Sequence, residues 1–223
     1  MTHIGHSGKV LFMRVFIAVL VLIFSLQSLT KADDIRDFQI EGMSIGDSLL
    51  DYFNKSQIEK SKNSKDTYKY KKGKFIIIDV GNISSSYYLK KKFEVYEKLH
   101  ITIKSDDKNY IVEGLGGLFL CEVNIQNCFS KKKEIVSDLK GYFKNMKIYE
   151  KNKSHRGDKS KESKVYSTYF KFKERRTANI GVQIYDWSDK RNKNDFQDSV
   201  KVSVHSDEYN NFIINEAYKD SSL

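Results

Sequence analysis

The sequence predicts an α+β fold in which an antiparallel sheet of about six strands has helices packed on one face. Three observations predict it. Several short segments alternate apolar with polar residues, which is the pattern of half-buried strands. Longer segments repeat apolar residues every three or four positions, as amphipathic helices do. Short polar turns join successive strands, and they favour antiparallel pairing because parallel neighbours need long crossovers. The order of elements is compatible with two αβββ units followed by a C-terminal helix.

The first segment of the chain has the composition of a secretory signal peptide. Residues 1–32 contain no acidic side chain, carry Lys9 and Arg14, and run apolar from Val15 to Phe24. This run is too short for a transmembrane helix, which needs roughly 20 apolar residues. Small residues at positions 30 and 32 favour cleavage before Asp33. We therefore predict a signal peptide over residues 1–32 and a single α+β domain over residues 33–223.

Cleavage would place the mature chain in the periplasm or outside the cell, with no transmembrane anchor. One alternative is an uncleaved anchor, although Lys31 lies close behind the apolar run. A second alternative concerns the start of the chain. The segment that begins at Met13 is a complete signal by itself, so the first twelve residues need not be translated.

The chain is basic, with 39 Lys and Arg against 29 Asp and Glu. Only six of the basic residues are Arg, Pro is absent, and Lys, Asn, Ile and Tyr are abundant, which is the bias of an AT-rich genome. Because Arg is the side chain best suited to bidentate phosphate recognition, we do not expect a nucleic-acid partner. The expected partner is another envelope protein or an anionic component of the envelope.

The two cysteines, Cys121 and Cys128, are separated by six residues. In an oxidising compartment such a pair predicts a disulfide bond. The spacing is too wide for a redox-active C-x-x-C pair, and no His lies nearby to complete a metal site. We therefore expect no metal and no cofactor.

In the N-terminal half, Ser44 and Asp47 have the spacing of a capping box, so a short helix is expected from there to about Asn54. The polar stretch 55–66 leaves open whether that helix continues. Strands are expected at Phe75–Val80, at 99–104 and at Tyr110–Leu120, the last two forming a hairpin.

In the C-terminal half, apolar spacing predicts a helix from about Gln126 to Met146, with Cys128 in its first turn. Residues 150–163 are rich in Lys, Ser, Asp and Asn and predict a flexible loop. Three strands follow, in which alternate residues share a face (Tyr166 to Phe172, Ile180 to Ile184 and Val200 to Val204). Ser206 then caps a terminal helix.

Two resemblances bear on function. Across Asp37–Phe53, the hairpin at 99–120, the Cys128–Val136 helix and Tyr185–Ser188, the chain resembles exported proteins of marine alphaproteobacteria with AT-rich genomes. That resemblance implies export and no particular activity. The five residues Ile40–Ser44 are similar to the Gly-Met-Ser helix start of the small lipoprotein of the outer-membrane barrel assembly machinery and of β-lactamase-inhibitor-like αβ modules. This second likeness implies a protein-binding role in the envelope.

Four residues are candidates for a binding site. Tyr185 and Trp187 lie at a strand end, where aromatic rings can form a ligand surface or close the edge of a core. Arg175 and Arg176 are expected at a hairpin tip, where the pair could hold an acidic partner or remain a solvated turn.

No catalytic residue can be named from the sequence. It contains no Gly-x-Ser-x-Gly motif for a serine nucleophile. Acidic pairs such as Glu41 with Asp47, or Asp186 with Asp189, arise by chance in a highly charged chain. The glycines at 114, 116 and 117 lie within a strand and favour a bulge or a close backbone approach over a phosphate-binding loop.

These observations predict an exported periplasmic protein that serves as a non-catalytic binding or protein-interaction module of the envelope. The alternative is a periplasmic hydrolase-type enzyme whose site assembles from scattered polar residues. A deep pocket with converging His, Asp or Glu would favour the enzyme, whereas a sheet surface with exposed aromatic rings would favour binding.

Overall fold

The computed structural model describes residues 35–81, 86–121, 124–143, 146–172, 179–188 and 196–217. Within these ranges the chain forms one sheet of nine strands. The strands are β1 (Tyr68–Lys69), β2 (Phe75–Gly81), β3 (Leu89–Lys90), β4 (Lys98–Lys104), β5 (Val112–Leu120), β6 (Met146–Ser154), β7 (Lys164–Phe172), β8 (Ile180–Asp186) and β9 (Ser199–His205). The helices are α1 (Lys55–Lys62), α2 (Ile125–Tyr142) and α3 (Asp207–Asn215), with 3-10 turns at Ile35–Asp37 and Leu49–Asp51.

The strands lie in the order β1-β2-β4-β5-β9-β8-β7-β6, and β3 pairs with β2. Every pairing of strands is antiparallel except the two-residue contact between β2 and β3. The chain therefore runs twice through a helix followed by antiparallel strands, and the two halves join where β5 pairs with β9. Strand β6 forms one end of this order.

The predicted α+β class is confirmed, but six strands are too few. The short strands β1 and β3 have two residues each, which is too little for an alternating pattern to show. The third missed strand is β6, most of whose residues are polar and exposed. Its pairing with β7, over nine residues, outweighs its weak apolar pattern.

The main core lies on one face of the sheet, which we call the inner face. Alternate residues of β2, β4, β5, β7, β8 and β9 point into it, and Ile58 of α1 and Leu139 of α2 pack against them. Helix α2 contacts β8 and β9. The three predicted alternating strands of the C-terminal half all direct their apolar residues to this face.

Helix α3 packs on the opposite, outer face. Its Tyr209 and Phe212 are buried against Tyr70 and Phe75, and the hydroxyls of Tyr70 and Tyr209 are 2.7 Å apart. The helices thus occupy both faces of the sheet rather than one. On β2, Ile76 faces the inner core, whereas the ring of Phe75 lies on the outer side and packs against α3. Ser206 caps α3 as expected, accepting a hydrogen bond from the amide of Tyr209.

The helix expected from Ser44 to about Asn54 does not form. Asp47 does accept the Ser44 amide, at 2.8 Å. However, the amides of Gly46 and Leu49 donate to the carbonyls of Val112 and Tyr110 rather than to a helical ladder. Gly46 also has φ +95, which an α-helix does not allow. A true capping box occurs later, at Asn54 and Gln57, and starts α1 within the stretch left open by the sequence.

The predicted helix to Met146 and the predicted loop 150–163 are both too long. Helix α2 ends at Tyr142, and Met146 already belongs to β6. Residues 150–154 continue that strand, and the loop proper spans 155–163. Asp158 organises this loop by accepting hydrogen bonds from the amides and hydroxyls of Ser160 and Ser163.

The disulfide between Cys121 and Cys128 is present and joins the residue after β5 to the first turns of α2. The bond therefore holds the start of α2, which begins the second half of the chain, close to the end of β5, which closes the first half. None of the helices in the described ranges is both long and apolar enough to cross a bilayer. The predicted signal peptide lies outside the described residues.

Candidate binding surface on the outer face

Two adjacent rows of side chains cross the outer face of the sheet. Residues paired directly across neighbouring strands form each row, so their side chains project from the same side. The first row is Asp79, His100, Gly116, Ser203, Gly181, Tyr169 and Tyr149. The second is Lys98, Leu118, Lys201, Gln183, Ser167 and Lys151. We call the two rows together the outer-face site.

The middle of the first row contains only the small residues Gly116, Ser203 and Gly181. Larger neighbouring side chains extend over them. A Cβ on Gly116 would lie 2.3 Å from Cε of Lys201, so the lysine passes directly over this glycine. A Cβ on Gly181 would lie 3.4 Å from the ring of Tyr169. Gly116 of β5 thus marks a position where a neighbouring side chain approaches the backbone closely. The pairing of β4 with β5 also contains a register shift, between Thr102 and Ile103.

Lys201 ends in a polar network that spans four strands. Its Nζ lies 3.1 Å from Nδ1 of His100, across the intervening strand β5. Nε2 of His100 lies 3.5 Å from Oδ1 of Asp79, whose other carboxylate oxygen is paired with Nζ of Lys98. A neutral imidazole with its hydrogen on Nε2 satisfies both contacts, donating to Asp79 and accepting from Lys201.

Burial shapes the charges in this network. It lowers the pKa of His100 well below its ordinary value, helped by the positive charges of Lys201 and Lys98, so the ring is neutral at pH 7. Burial also lowers the pKa of Lys201, to about 8. The pKa of Asp79 is raised by burial, which outweighs the opposing attraction of Lys98. Lys201 is therefore still mainly charged at pH 7, at a cost in stability.

We expect Lys201→Met to make the protein more stable at pH 7, by about 1 kcal/mol. The pKa of Lys201 is about 8 in the folded protein, against the ordinary 10.5 expected for the unfolded chain. Between these two values the unfolded chain binds more protons than the folded protein, so the destabilisation by Lys201 decreases as the pH rises. Below pH 8 the lysine is charged in both states and the full destabilisation applies. Urea unfolding at pH 7 and pH 10.5 checks this, since the gain should shrink at the higher pH. A variant no more stable than the original at pH 7 would contradict the cost assigned to Lys201.

The other half of the outer-face site is aromatic. Tyr149 and Tyr169 pack side by side with ring centroids 5.3 Å apart, and Tyr149 is 40% exposed. Gln183 connects this pair to Tyr185, because its side-chain amide donates to the hydroxyl of Tyr169 at 3.1 Å and accepts from that of Tyr185 at 3.3 Å. A further donation to Oγ of Ser167 fixes the amide orientation.

An aromatic rim continues from Tyr185. The ring of Trp187 is stacked on Tyr185 at an interplanar angle of 15°, and His155 and Phe196 lie against the indole with centroids 4.4 and 4.6 Å away. The backbone holds this rim in place, since the Trp187 amide donates to Asp198 at 2.7 Å and the Ser188 amide donates to Ser163. Trp187 is half-buried, so one part of its ring contacts solvent.

Of the candidates named from the sequence, Tyr185 and Trp187 lie together beside the outer-face site. Arg175, Arg176 and Asp189 lie outside the described residues. Asp186 has a pKa raised by burial and by Asp198, but it lies at the strand end, away from the polar network.

The acidic pair Glu41 and Asp47 has a structural role. Glu41 is buried and accepts hydrogen bonds from the amides of Glu94, Val95 and Tyr96. Asp47 accepts from the Ser44 amide and from the hydroxyl of Tyr52. These bonds occupy the carboxylates, so the pair offers no acid–base site.

The sequence did not indicate the polar network. Asp79, His100 and Lys201 come from three separated strands, and only the strand order brings them together. One signal was available, since His100 and Lys201 lie on the polar side of alternating strands, as His205 does, but such a position ordinarily indicates a solvated side chain. Instead burial lowers the pKa of His205 to about 4, its ring packing against Tyr209 and bonding to Asn210.

No cluster of three or more potential metal ligands occurs within the described ranges. A surface depression lies elsewhere, beside α1, and is lined by Glu59, Lys60 and Tyr88 among others. Its acid, Glu59, is already bonded to Lys62 and to the hydroxyl of Tyr110. The depression therefore does not have the converging polar groups of an active site.

No protein-family model, curated protein sequence or solved structure matches this chain.

Proposed function

We propose that the chain is an exported, non-catalytic binding module of the cell envelope, and that the outer-face site is its binding surface. One observation carries this proposal: aromatic rings and hydrogen-bonding side chains lie together on a part of the sheet that the described helices leave uncovered. Helix α3 packs over the other end of the same face, near Phe75 and His205.

The chemistry of this surface supports binding. Tyr and Trp present large, rigid contact areas and lose little conformational entropy when they are covered. Gln183 and the lysines add directional donors among the rings. A half-buried lysine whose pKa is lowered by burial, as that of Lys201 is, is the kind of feature that a functional site retains. A sheet surface with exposed rings is also the arrangement that favours binding over catalysis.

Export is supported by the N-terminal segment and by the disulfide. The acid-free, apolar leader of residues 1–32 has the features of a cleavable signal. The bond between Cys121 and Cys128 suits an oxidising compartment such as the periplasm or the outside of the cell. Another envelope protein or an anionic envelope component would then be within reach.

The test is to produce the full chain in a Gram-negative bacterium, recover it from the periplasm and medium, and sediment it with isolated envelopes. We expect a product that begins at Asp33, carries no free thiol and sediments with the envelopes. The double variant Tyr149→Ala, Trp187→Ala should stay in the supernatant, because it removes one ring from the outer-face site and one from the aromatic rim beside it.

The control is Tyr142→Ala on α2, which removes an exposed tyrosine on the other side of the sheet. This variant should sediment like the original protein. Recovery of an unprocessed chain in the cytosol would contradict export, and equal sedimentation of all three proteins would contradict the assigned surface.

A hydrolase-type enzyme is the second candidate, favoured by the chain of contacts from Asp79 through His100 to Lys201. An amine held by a neutral imidazole resembles the nucleophile and base of a catalytic site. Ester hydrolysis abolished by both Lys201→Met and His100→Asn would support this candidate. Unchanged background hydrolysis in the two variants would exclude it.

A further inference from the structure

We infer that the ligand of the outer-face site is an acidic polysaccharide, bound with its sugar rings against the aromatic side chains and its acidic groups against the lysines. This inference rests on the proposed function, because it names the ligand of the same surface. Three independent features of the described residues carry it: the sign of the charge, the type of exposed surface and the spacing.

The charge of the surface is positive. Lys201 lies at its centre, and Lys151 and Lys153 of β6 project from the same face, paired across the strands with Ser167 and Val165. Burial lowers the pKa of Lys153, helped by the nearby charges of Arg156 and Lys151. Like charges crowd together here, and an acidic ligand would relieve their repulsion.

The acidic side chain in the two rows is already neutralised. Both carboxylate oxygens of Asp79 are engaged, one by Lys98 and the other by His100. Asp79 attracts Lys201 as well, but burial outweighs that attraction, so the charge of Lys201 is only partly compensated. Lys201 is partly exposed, and an acidic group on a ligand could add to this compensation.

The exposed surface of the site suits sugar rings better than a protein. A protein interface commonly has an apolar centre. Of the aliphatic side chains on this part of the face, Val165 is buried, Leu118 is partly exposed and Leu120, at the end of β5, is 40% exposed. Apart from these, the side chains that face solvent are aromatic, amide and ammonium groups, since Ser167 and Ser203 are buried. The apolar C–H face of a sugar packs against an aromatic ring, while its hydroxyl edge needs donors and acceptors such as Gln183.

The spacing suits successive residues of a chain-like ligand. Gln183 and Tyr185 project from the same side of β8, two residues apart, which is about 7 Å along the strand. The Tyr149–Tyr169 pair forms one ring surface and the Tyr185–Trp187 stack forms another. The side chain of Gln183 lies between them and is hydrogen-bonded to Tyr169 and to Tyr185. A polymer of rings could contact both surfaces at once. Lys201 pairs with Gln183 across β8 and β9, and its side chain extends from there over Gly116 toward His100, so it lies beside the two ring surfaces.

The test is native gel electrophoresis of the exported product in gels that contain polygalacturonate or, as the neutral counterpart, dextran. We expect polygalacturonate to retard the protein and dextran to leave its mobility unchanged. Lys201→Met and Trp187→Ala should each weaken the retardation about tenfold. The control Lys133→Gln removes an exposed lysine from α2, so it should change the retardation less than about twofold.

Gly116→Ala tests the geometry separately from the charge, because the added methyl group displaces Lys201 while keeping its ammonium group. It should weaken retardation as Lys201→Met does. Equal losses in Lys133→Gln and Lys201→Met would overturn the inference, since any lysine would then serve. Sedimentation with envelopes through the same aromatic residues, without retardation by polygalacturonate, would also overturn it while leaving the proposed function intact.

Discussion

Gly117→Ala should destabilise the protein by about 2–3 kcal/mol, although it adds a single methyl group. A Cβ at this position would lie 2.5 Å from two carbons of the Tyr96 ring. The ring cannot easily withdraw, because it packs on Phe119 with centroids 4.6 Å apart and the Tyr96 amide is bonded to Glu41. Thermal unfolding should shift down by roughly 5 °C or more for a chain of this size.

The same substitution at Gly141 is the matched control. That glycine lies in the last turn of α2, and a Cβ there would have no atom within 4 Å. Since Ala has a higher helix propensity than Gly, Gly141→Ala should stabilise by about 0.5–1 kcal/mol. Two Gly→Ala changes of the same sign would contradict the close approach assigned to Tyr96.

Glu41→Ala should cost about 3 kcal/mol in the free energy of unfolding. Its Oε1 accepts the amides of Val95 at 2.8 Å and Tyr96 at 3.1 Å, and Oε2 accepts that of Glu94 at 3.1 Å. Removal of the carboxylate leaves these part-buried donors without their acceptor. Urea unfolding monitored by the fluorescence of Trp187 measures the loss, which should move the midpoint without changing the slope.

Two variants separate this effect from a change in net charge. Glu94→Ala removes an exposed carboxylate from the same loop and should change stability by less than about 0.5 kcal/mol. Glu41→Gln keeps one acceptor oxygen at the site and should fall between the other two. A loss in Glu94→Ala as large as in Glu41→Ala would show that charge, not the hydrogen bonds, is responsible.

Local patterns were sufficient to predict the fold class, the three alternating strands of the C-terminal half, the Ser206 cap and the disulfide. The helix at Ser44 failed because the amides of Gly46 and Leu49 bond to distant carbonyls near β5, which no local pattern reveals. Strand β6 was missed because its pairing with β7, rather than its own apolar content, stabilises it.

The candidate site shows the same limit. Tyr185 and Trp187 were found because aromatic residues at a strand end are visible in the sequence. Lys201 could not be recognised among the many lysines of the chain, since its distinction comes from passing over Gly116 to reach His100. That contact depends on the order of strands, which the sequence alone did not determine.

The pairing of β5 with β9 has a consequence for how the molecule matures. These strands are about 80 residues apart along the chain, so their union closes a large loop at a substantial entropic cost. The strands of each half are mostly close neighbours in sequence and can associate earlier. While the polypeptide emerges N-terminus first, β5 offers unsatisfied backbone donors and acceptors until residues 199–205 arrive. A nascent chain arrested before that point would be open to wrong pairing, with a chaperone or another copy as the substitute strand.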